Sequence, residues 1–203
     1  MSRGLMPLVQ VTILARDNAK YLPMFLHCIE NIDYDKKSLS IYVHTNDNSD
    51  QTAKILKQWC LDQQSTNRYY NVKFIEQSFP QLQGKKGKNF TGNGGDEAWY
   101  ADGGIRLKIL SNIRDVSLKH AVYTGAEYYF VCDIDNFFPP ETIRYCVNQD
   151  KPIFAPMMVE NSGNVPRGFY LKCESNGYWS NSSENYELPR PIWNKTLKGA
   201  FAV

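Results

Sequence analysis

Two aspartates one residue apart, Asp133 and Asp135, follow an apolar run in the segment YYFVCDIDNFFPP. In extended backbone, alternate residues point the same way, so both carboxylates would face one point while Ile134 turns into the core. Two carboxylates that close repel each other unless they share a cation or a proton. Mn²⁺ and Mg²⁺ prefer such oxygens and also bind diphosphates. The pattern therefore favours a cation and phosphate site over the alternative, a capping aspartate followed by a solvated one.

Two further polar clusters follow apolar runs nearer the N-terminus. Arg16 comes directly after LVQVTILA, where a nucleotide base or ribose would fit. Asn46 and Asp47 lie in HTNDNSDQT, after the run SIYV, and offer acceptors for a ribose hydroxyl or a base edge. The same stretch is also a good turn and helix cap, through Asp50 or Thr52, so either interpretation stays open.

Strand and helix patterns alternate along the chain, which predicts βαβ units and a mainly parallel sheet covered on both faces. Ligands bind at the carboxyl ends of the strands in such sheets. The three polar clusters all fall at those ends, so we expect them to converge at one edge. The predicted strands are residues 8–15, 40–43, 71–75, 128–132 and 152–157, and the predicted helices are residues 21–32, 53–64 and 105–123.

Residues 78–104 are rich in Gly, Asn, Gln and Lys, and they are too polar for a core and too long for an ordinary connection. The stretch GKKGKNFTGNGG lacks the ending of a phosphate-binding Walker loop. We expect a flexible flap, functional or disordered, inside a single domain over residues 1–203. The strand-like ending KGAFAV suggests a domain truncated at its C-terminus.

The amino-acid composition favours some classes of protein and counts against others. The chain has 203 residues, of which 42% are hydrophobic, and this suits one globular domain. The net charge of +2 predicts binding to neither nucleic acid nor membranes, and no apolar run reaches the ~18 residues of a membrane span. Five separated cysteines without a C-x-x-C pair indicate reduced thiols rather than a zinc site.

The order of four segments resembles the procollagen galactosyltransferase family, which includes the cerebral endothelial cell adhesion molecule and is related to glycosyltransferase domains of multifunctional lysyl hydroxylases. The segments are LARDNAKYLPMFLHCIENIDY, SIYVHTNDNSDQTAKILKQW, YYFVCDIDNFFPPETI and KPIFAPMM. The turn HTNDNSDQT also resembles the V-D-D-G-S-x-D-x-T turn of the broader inverting glycosyltransferases.

This resemblance implies a GT-A fold, which is a Rossmann-like, mainly parallel α/β sheet flanked by helices. It also implies transfer of galactose or glucose from a UDP-sugar to hydroxylysine of a collagen-like acceptor, assisted by Mn²⁺ or Mg²⁺. Asp133 and Asp135 match the metal-binding D-x-D of the family. The residues that the resemblance assigns to the nucleotide sugar are Ala15, Arg16, Asn46, Asp47, Arg106, Lys108 and Ile134.

The resemblance leaves two roles to fill. An inverting transfer needs a base near the acceptor hydroxyl, and Glu160 is the candidate, ahead of Glu174, Glu184 and Glu187. GT-A enzymes often take a third metal ligand, usually histidine, from near the end of the domain. No histidine follows His120, so we expect that ligand beyond Val203. The family implies the lumen of the endoplasmic reticulum, whereas the missing signal peptide leaves the cytoplasm open.

Three alternatives stay open. A sugar-phosphate nucleotidyltransferase usually carries a Gly-rich basic loop after its first strand, and RDNAKY is not such a loop. A phosphatase with an aspartyl nucleophile has Thr or Val two residues after its second aspartate, where this chain has Phe137. The third alternative is a binding module that kept the fold and lost activity, and the intact D-x-D counts against it.

Overall fold

The computed structural model describes residues 6–79 and 105–151, with the side chains of residues 105–107 left out. Four strands form one parallel sheet in the order β3-β2-β1-β4. The strands are β1 Val9–Ala15, β2 Leu39–Asn46, β3 Asn71–Gln77 and β4 Tyr128–Asp133. The helices are α1 Leu22–Glu30, α2 Thr52–Ser65, α3 Ile105–Tyr123 and α4 Thr142–Asn148, and a 3₁₀ turn spans Lys36–Ser38.

The predicted α/β class with a parallel sheet is confirmed within these residues. Every residue of β1 and β2 is buried, which requires helices or loops over both faces of the sheet. The predicted strand at residues 152–157 lies outside the described residues, as does the predicted flap from residue 80 onward. None of the helices in the described part is long and apolar enough to cross a membrane. The four cysteines described there are free thiols: Cys28, Cys60, Cys132 and Cys146.

Helix α3 is attached to the sheet through a buried glutamine. Gln10 of β1 is fully buried, and its Nε2 donates to Ser117 O of α3 at 2.8 Å and to Thr12 Oγ1 at 3.0 Å. Its Oε1 lies 2.8 Å from His120 Nδ1 and can only accept, so His120 Nδ1 is the donor. Burial, and secondly the charge of Lys73, lowers the pKa of His120. These bonds set the rotation of α3 about its axis relative to β1.

The loops after β1 and β2 are connected by hydrogen bonds from side chains to backbone. Asp50 Oδ2 accepts from Ala19 N at 2.9 Å, while its Oδ1 accepts from Thr52 N at the start of α2 at 2.8 Å. Thr52 Oγ1 accepts from Asn18 N at 2.7 Å. Neither capping candidate is the N-cap residue, which is Gln51 and makes no side-chain capping bond. Asp50, one position earlier, accepts from the first N–H of α2, and Thr52 bonds across to the neighbouring loop. The two loops therefore form one rigid surface at the carboxyl edge of the sheet.

We expect Gln10→Ala to lower the free energy of unfolding by about 2–4 kcal/mol, because it leaves both a cavity and an unpaired His120 Nδ1–H. Gln10→Met keeps most of the side-chain volume and removes only the hydrogen bonds, so it should cost about 1–2 kcal/mol. Urea denaturation of both variants measures the two contributions. A Gln10→Met variant as stable as wild type would show that the polar contacts do not stabilise the attachment of α3.

We expect Asp50→Asn to destabilise the protein at neutral pH, by about 1 kcal/mol. Burial alone raises the pKa of Asp50, but hydrogen bonds from Thr52 and from Ala19 N outweigh it and leave that pKa below its ordinary value. An acid whose pKa is lower in the folded state stabilises the protein above its unfolded pKa of about 3.9, and this stabilisation is lost as pH falls through the folded value. Urea denaturation between pH 7 and pH 3 should show the difference between wild type and variant shrinking below about pH 4. A difference independent of pH would contradict this account.

Candidate functional site

The two aspartates of the D-x-D segment leave the sheet at the end of β4. Asp133 is the last residue of the strand and lies opposite Leu14 of β1. The chain turns immediately afterwards, with Asn136 N donating to Asp133 O at 3.1 Å. The extended geometry assumed from the sequence therefore stops at Asp133, and the turn, not strand alternation, orients Asp135. Ile134 is fully buried as expected, so any contact of this residue with a ligand is through its backbone.

The environment of Asp133 disfavours its own negative charge. Burial, and the neighbouring charge of Asp135, raise the pKa of Asp133, and the Arg114 guanidinium offsets part of that effect. Arg114 Nη2 lies 3.7 Å from Asp133 Oδ2, and the Asp133 side chain is 48% exposed. The carboxylate is thus reachable from solvent and would gain from a bound cation, because a nearby positive charge stabilises the ionised form.

The donor set fits a hard divalent cation that also binds phosphate. Within residues 6–79 and 105–151, no three His, Cys, Asp or Glu side chains come close enough to hold a metal. Asp135 lies close enough for its charge to raise the pKa of Asp133, so these two carboxylates are the candidate ligands in that part of the chain. Mg²⁺ is typically held in this way, by one or two carboxylates with waters and substrate phosphates completing its shell. Mn²⁺ accepts the same carboxylate and water oxygens.

The ends of β1 and β2 lie beside this point, as the strand patterns predict. Ala15 pairs with Thr45, whose hydroxyl donates to Ala15 O at 2.9 Å. Arg16 follows at the rim, with its Nε 3.9 Å from Asp17 Oδ2. Asp17 has a left-handed backbone with φ of 52°, and Asp47, after β2, has φ of 44°. Asn67 and Asp150, which lie away from this edge, also have φ of 47°, and Asp and Asn adopt this conformation more readily than most residues, so the backbone of Asp17 and Asp47 does not by itself mark a site.

Asp47 anchors the chain that follows β3. Its carboxylate accepts from Asn46 Nδ2 at 3.1 Å, from Ser78 Oγ at 3.0 Å and from Phe79 N at 3.1 Å. Burial raises the pKa of Asp47, but these bonds outweigh it and hold that pKa below its ordinary value. Phe79 in turn packs against Leu14 of β1. The described contacts of Asp47 are thus structural, and it can still accept a ribose hydroxyl through its remaining lone pairs.

Of the two basic residues of α3 that were predicted to bind the nucleotide sugar, Arg106 and Lys108, the structure describes only the side chain of Lys108. Lys108 is exposed and lines an open depression of about 600 Å³ together with Ser111, Asn112 and Asp115. The side chain of Arg106 lies outside the described residues, and so does the whole of Glu160. The structure adds Arg114, which the sequence did not single out. A basic residue in the helix before a strand is too common a pattern to predict that its guanidinium reaches the strand's last carboxylate.

The comparison with known families gives one match over nearly the whole chain. The family model described as "Glycosyltransferase family 25, N-terminal domain" matches residues 6–203. The procollagen galactosyltransferase 1 of Danio rerio is 28% identical over 200 residues, which cover 98% of this chain and 30% of that protein. The human procollagen galactosyltransferase 2 is 29% identical over 176 residues, covering 82% of this chain and 26% of that protein.

Relatives described as inactive also match. The human "Inactive glycosyltransferase 25 family member 3" is 25% identical over 199 residues, which cover 98% of this chain and 30% of that protein. The chain thus spans less than a third of the length of these curated relatives.

Superposition on two solved structures gives TM-scores below 0.5. A crystal structure of S. aureus TarS, residues 1–349, superposes with a TM-score of 0.49 at 16% identity, covering 81% of this chain and 40% of that chain. The mannosyltransferase PcManGT from Pyrobaculum calidifontis, in complex with GDP-Man and Mn²⁺, gives a TM-score of 0.46 at 16% identity, covering 76% of this chain and 35% of that chain.

The family match and the four parallel strands with their flanking helices agree with the fold class expected from the sequence, which is confirmed as a GT-A α/β fold. Since the family model matches residues 6–203, the chain belongs to glycosyltransferase family 25, through the N-terminal domain of that family.

Proposed function

We propose that this domain binds the donor in a metal-dependent hexosyltransferase, which moves galactose or glucose from a UDP-sugar to hydroxylysine of a collagen-like acceptor. One observation carries the proposal. The last residues of β1, β2 and β4 meet at one sheet edge, where the half-exposed carboxylate of Asp133 is destabilised by burial and by Asp135. The relatives named procollagen galactosyltransferase support galactose as the sugar and a collagen chain as the acceptor.

Asp133 and Asp135 would hold the cation, Mn²⁺ or Mg²⁺. When bound, such a cation neutralises charge that grows on the departing UDP. The protein's part is to present two carboxylate oxygens at a fixed place, through the pairing of β4 with β1 and the turn after Asp133. Because Asp133 is only half exposed, the site also limits the water that competes for the cation.

The nucleoside would lie along the ends of β1 and β2. Arg16 offers a cation at the rim, Asn46 a side-chain amide, and Ala15 a small side chain that lets a flat base approach the backbone. Lys108, together with Arg106 on the same helix, would meet the phosphates from the side of α3. Ile134 would contribute backbone groups, and Asp47 would support Asn46 through their 3.1 Å hydrogen bond.

The acceptor half of the reaction rests on residues outside the described part of the chain. Glu160 is the proposed base, which would take the proton from the acceptor hydroxyl as that oxygen attacks the anomeric carbon. By the family resemblance, the compartment we propose is the lumen of the endoplasmic reticulum.

A binding module without transferase activity is the second candidate. The relatives named inactive match over as much of this chain as the galactosyltransferases do, so fold and coverage do not separate the two. A transferase and a binding module would differ in whether the cation held by Asp133 and Asp135 assists sugar transfer, and only an activity measurement tests this difference. A sugar-phosphate nucleotidyltransferase would instead require UTP and release pyrophosphate.

We expect the chain to release UDP from UDP-galactose or UDP-glucose when Mn²⁺ and a hydroxylysine-containing collagen peptide are present, and to stop when EDTA removes the metal. Asp133→Asn and Asp135→Asn should each lower the rate at least about 100-fold, because losing metal stabilisation of the leaving group costs several kcal/mol. Asp62→Asn, which changes an exposed carboxylate in α2, is the matched control and should behave as wild type.

The same assay separates the alternatives. Mn²⁺-dependent binding of UDP without turnover would favour the binding module. Pyrophosphate released from UTP and a sugar 1-phosphate would favour the nucleotidyltransferase. Wild-type behaviour of Asp135→Asn, together with no effect of Mn²⁺ on UDP binding, would contradict the transferase proposal.

We expect Glu160→Gln to lower kcat about 10²- to 10⁴-fold and to leave the KM for the UDP-sugar nearly unchanged, because the base acts on the acceptor and not on the donor. Steady-state kinetics with both substrates varied would show this. Glu174→Gln is the matched comparison. If that variant loses turnover while Glu160→Gln keeps it, the base has been assigned to the wrong residue.

A further inference from the structure

Arg114 of α3 is the cation closest to the proposed metal ligands within the described part of the chain. Its Nη2 lies 3.7 Å from Asp133 Oδ2, and the two side chains are 47% and 48% exposed. No other basic group in residues 6–79 and 108–151 forms an ion pair with Asp133. Arg114 thus provides the positive charge that pairs with Asp133 in the described part of the chain.

The backbone on both sides of Arg114 is held firmly. Ile113 is buried against Leu14, the residue that lies opposite Asp133 in the sheet. Ser117 Oγ donates to Arg114 O at 2.7 Å, so its only proton is used there. Tyr129 Oη of β4, 2.7 Å from Ser117 Oγ, must therefore be the donor in that pair. Arg114 is placed by this packing, and its approach to Asp133 does not depend on a mobile loop.

The ion pair itself is weak. A distance of 3.7 Å between Nη2 and Oδ2 is too long for a hydrogen bond, and both groups are half exposed to water. Such a pair partly neutralises the charge of Asp133 but adds little to the stability of the fold. The long Arg114 side chain can therefore change partners at a small cost in free energy. Arg114 therefore offsets the repulsion between Asp133 and Asp135 without being fastened to either.

We propose that Arg114 is a donor-binding residue, which pairs with Asp133 in the metal-free protein and turns to the donor's diphosphate when a divalent metal binds at Asp133. This inference rests on the proposed function. A cation held by Asp133 would repel the Arg114 guanidinium, and that guanidinium could then pair with the negative charge of the diphosphate. Arginine presents a planar set of donors that matches phosphate oxygens better than lysine does.

The proposal requires two affinities to change in opposite directions. Arg114→Gln removes a positive charge beside a metal ligand, so Mn²⁺ should bind the nucleotide-free protein about fivefold more tightly. The same variant lacks a partner for the diphosphate, so UDP should bind the Mn²⁺-saturated protein about tenfold more weakly. A purely structural role of Arg114 would weaken both affinities or change neither.

Isothermal titration of the 203-residue chain with Mn²⁺ alone, and then with UDP at saturating Mn²⁺, measures both affinities. Arg144→Gln is the matched control, since Arg144 also pairs with an exposed aspartate, Asp33, at 2.8 Å, and its side chain is 45% exposed. It should change neither affinity. Arg114→Lys keeps the charge and loses the planar donors, so its Mn²⁺ affinity should stay within about twofold of wild type while UDP binds with intermediate affinity.

The outcomes separate this inference from the proposed function. If wild type binds both Mn²⁺ and UDP, but Arg114→Gln shifts the two affinities in the same direction or not at all, the role of Arg114 is wrong and the donor site stands. Tighter Mn²⁺ binding by Arg114→Lys would also overturn the inference, because the charge is unchanged. If wild type binds neither ligand, the proposed function fails and the inference falls with it.

Discussion

The parallel pairing of β1 with both of its neighbours is the constraint on which the rest of this domain depends. Leu14 lies opposite both His44 and Asp133, so the ends of β1, β2 and β4 reach the edge of the sheet at the same height. A shift of one residue in either pairing would turn the buried residues of β1 toward the wrong neighbours. The complete burial of β1 and β2 penalises such a shift, and this holds the polar strand ends together.

Three aspartates at this edge show how similar side chains take different roles. Asp47 and Asp50 receive several hydrogen bonds each, which hold the pKa of each below its ordinary value despite the cost of burial. Burial raises the pKa of Asp133 instead, and only the Arg114 charge offsets that effect. A carboxylate that accepts several hydrogen bonds stabilises a loop. A carboxylate that lacks such bonds and is open to solvent can instead bind a cation. The number of hydrogen-bond donors around each carboxylate therefore separates Asp47 and Asp50, which hold loops in place, from Asp133, the proposed metal ligand.

Membership of glycosyltransferase family 25 accounts for the fold without deciding the chemistry. Proteins named galactosyltransferases and proteins named inactive match this chain over nearly equal lengths. A fold can keep its sheet and loops after activity is lost, because the contacts that stabilise it, such as Gln10 with Ser117, are not the groups that would touch a donor. The proposed activity would therefore depend on a few charged groups at the sheet edge and on residues outside the described part of the chain.

The sequence by itself determined the four strands and three of the four helices of the described residues, and the position of Asp133 and Asp135 at the end of an apolar strand, because hydrophobic periodicity and turn residues are local signals. It also determined the family, through the order of its segments. It did not predict the short helix Thr142–Asn148. Only the tertiary structure decided which groups meet. It showed the turn that orients Asp135, the use of Asp47 to hold Phe79, and the approach of Arg114 to Asp133. The turn is local, between Asp133 and Asn136, but the other two contacts join residues 32 and 19 positions apart. The approach of Arg114 also depends on how α3 is rotated against the sheet, which is set by packing between distant segments.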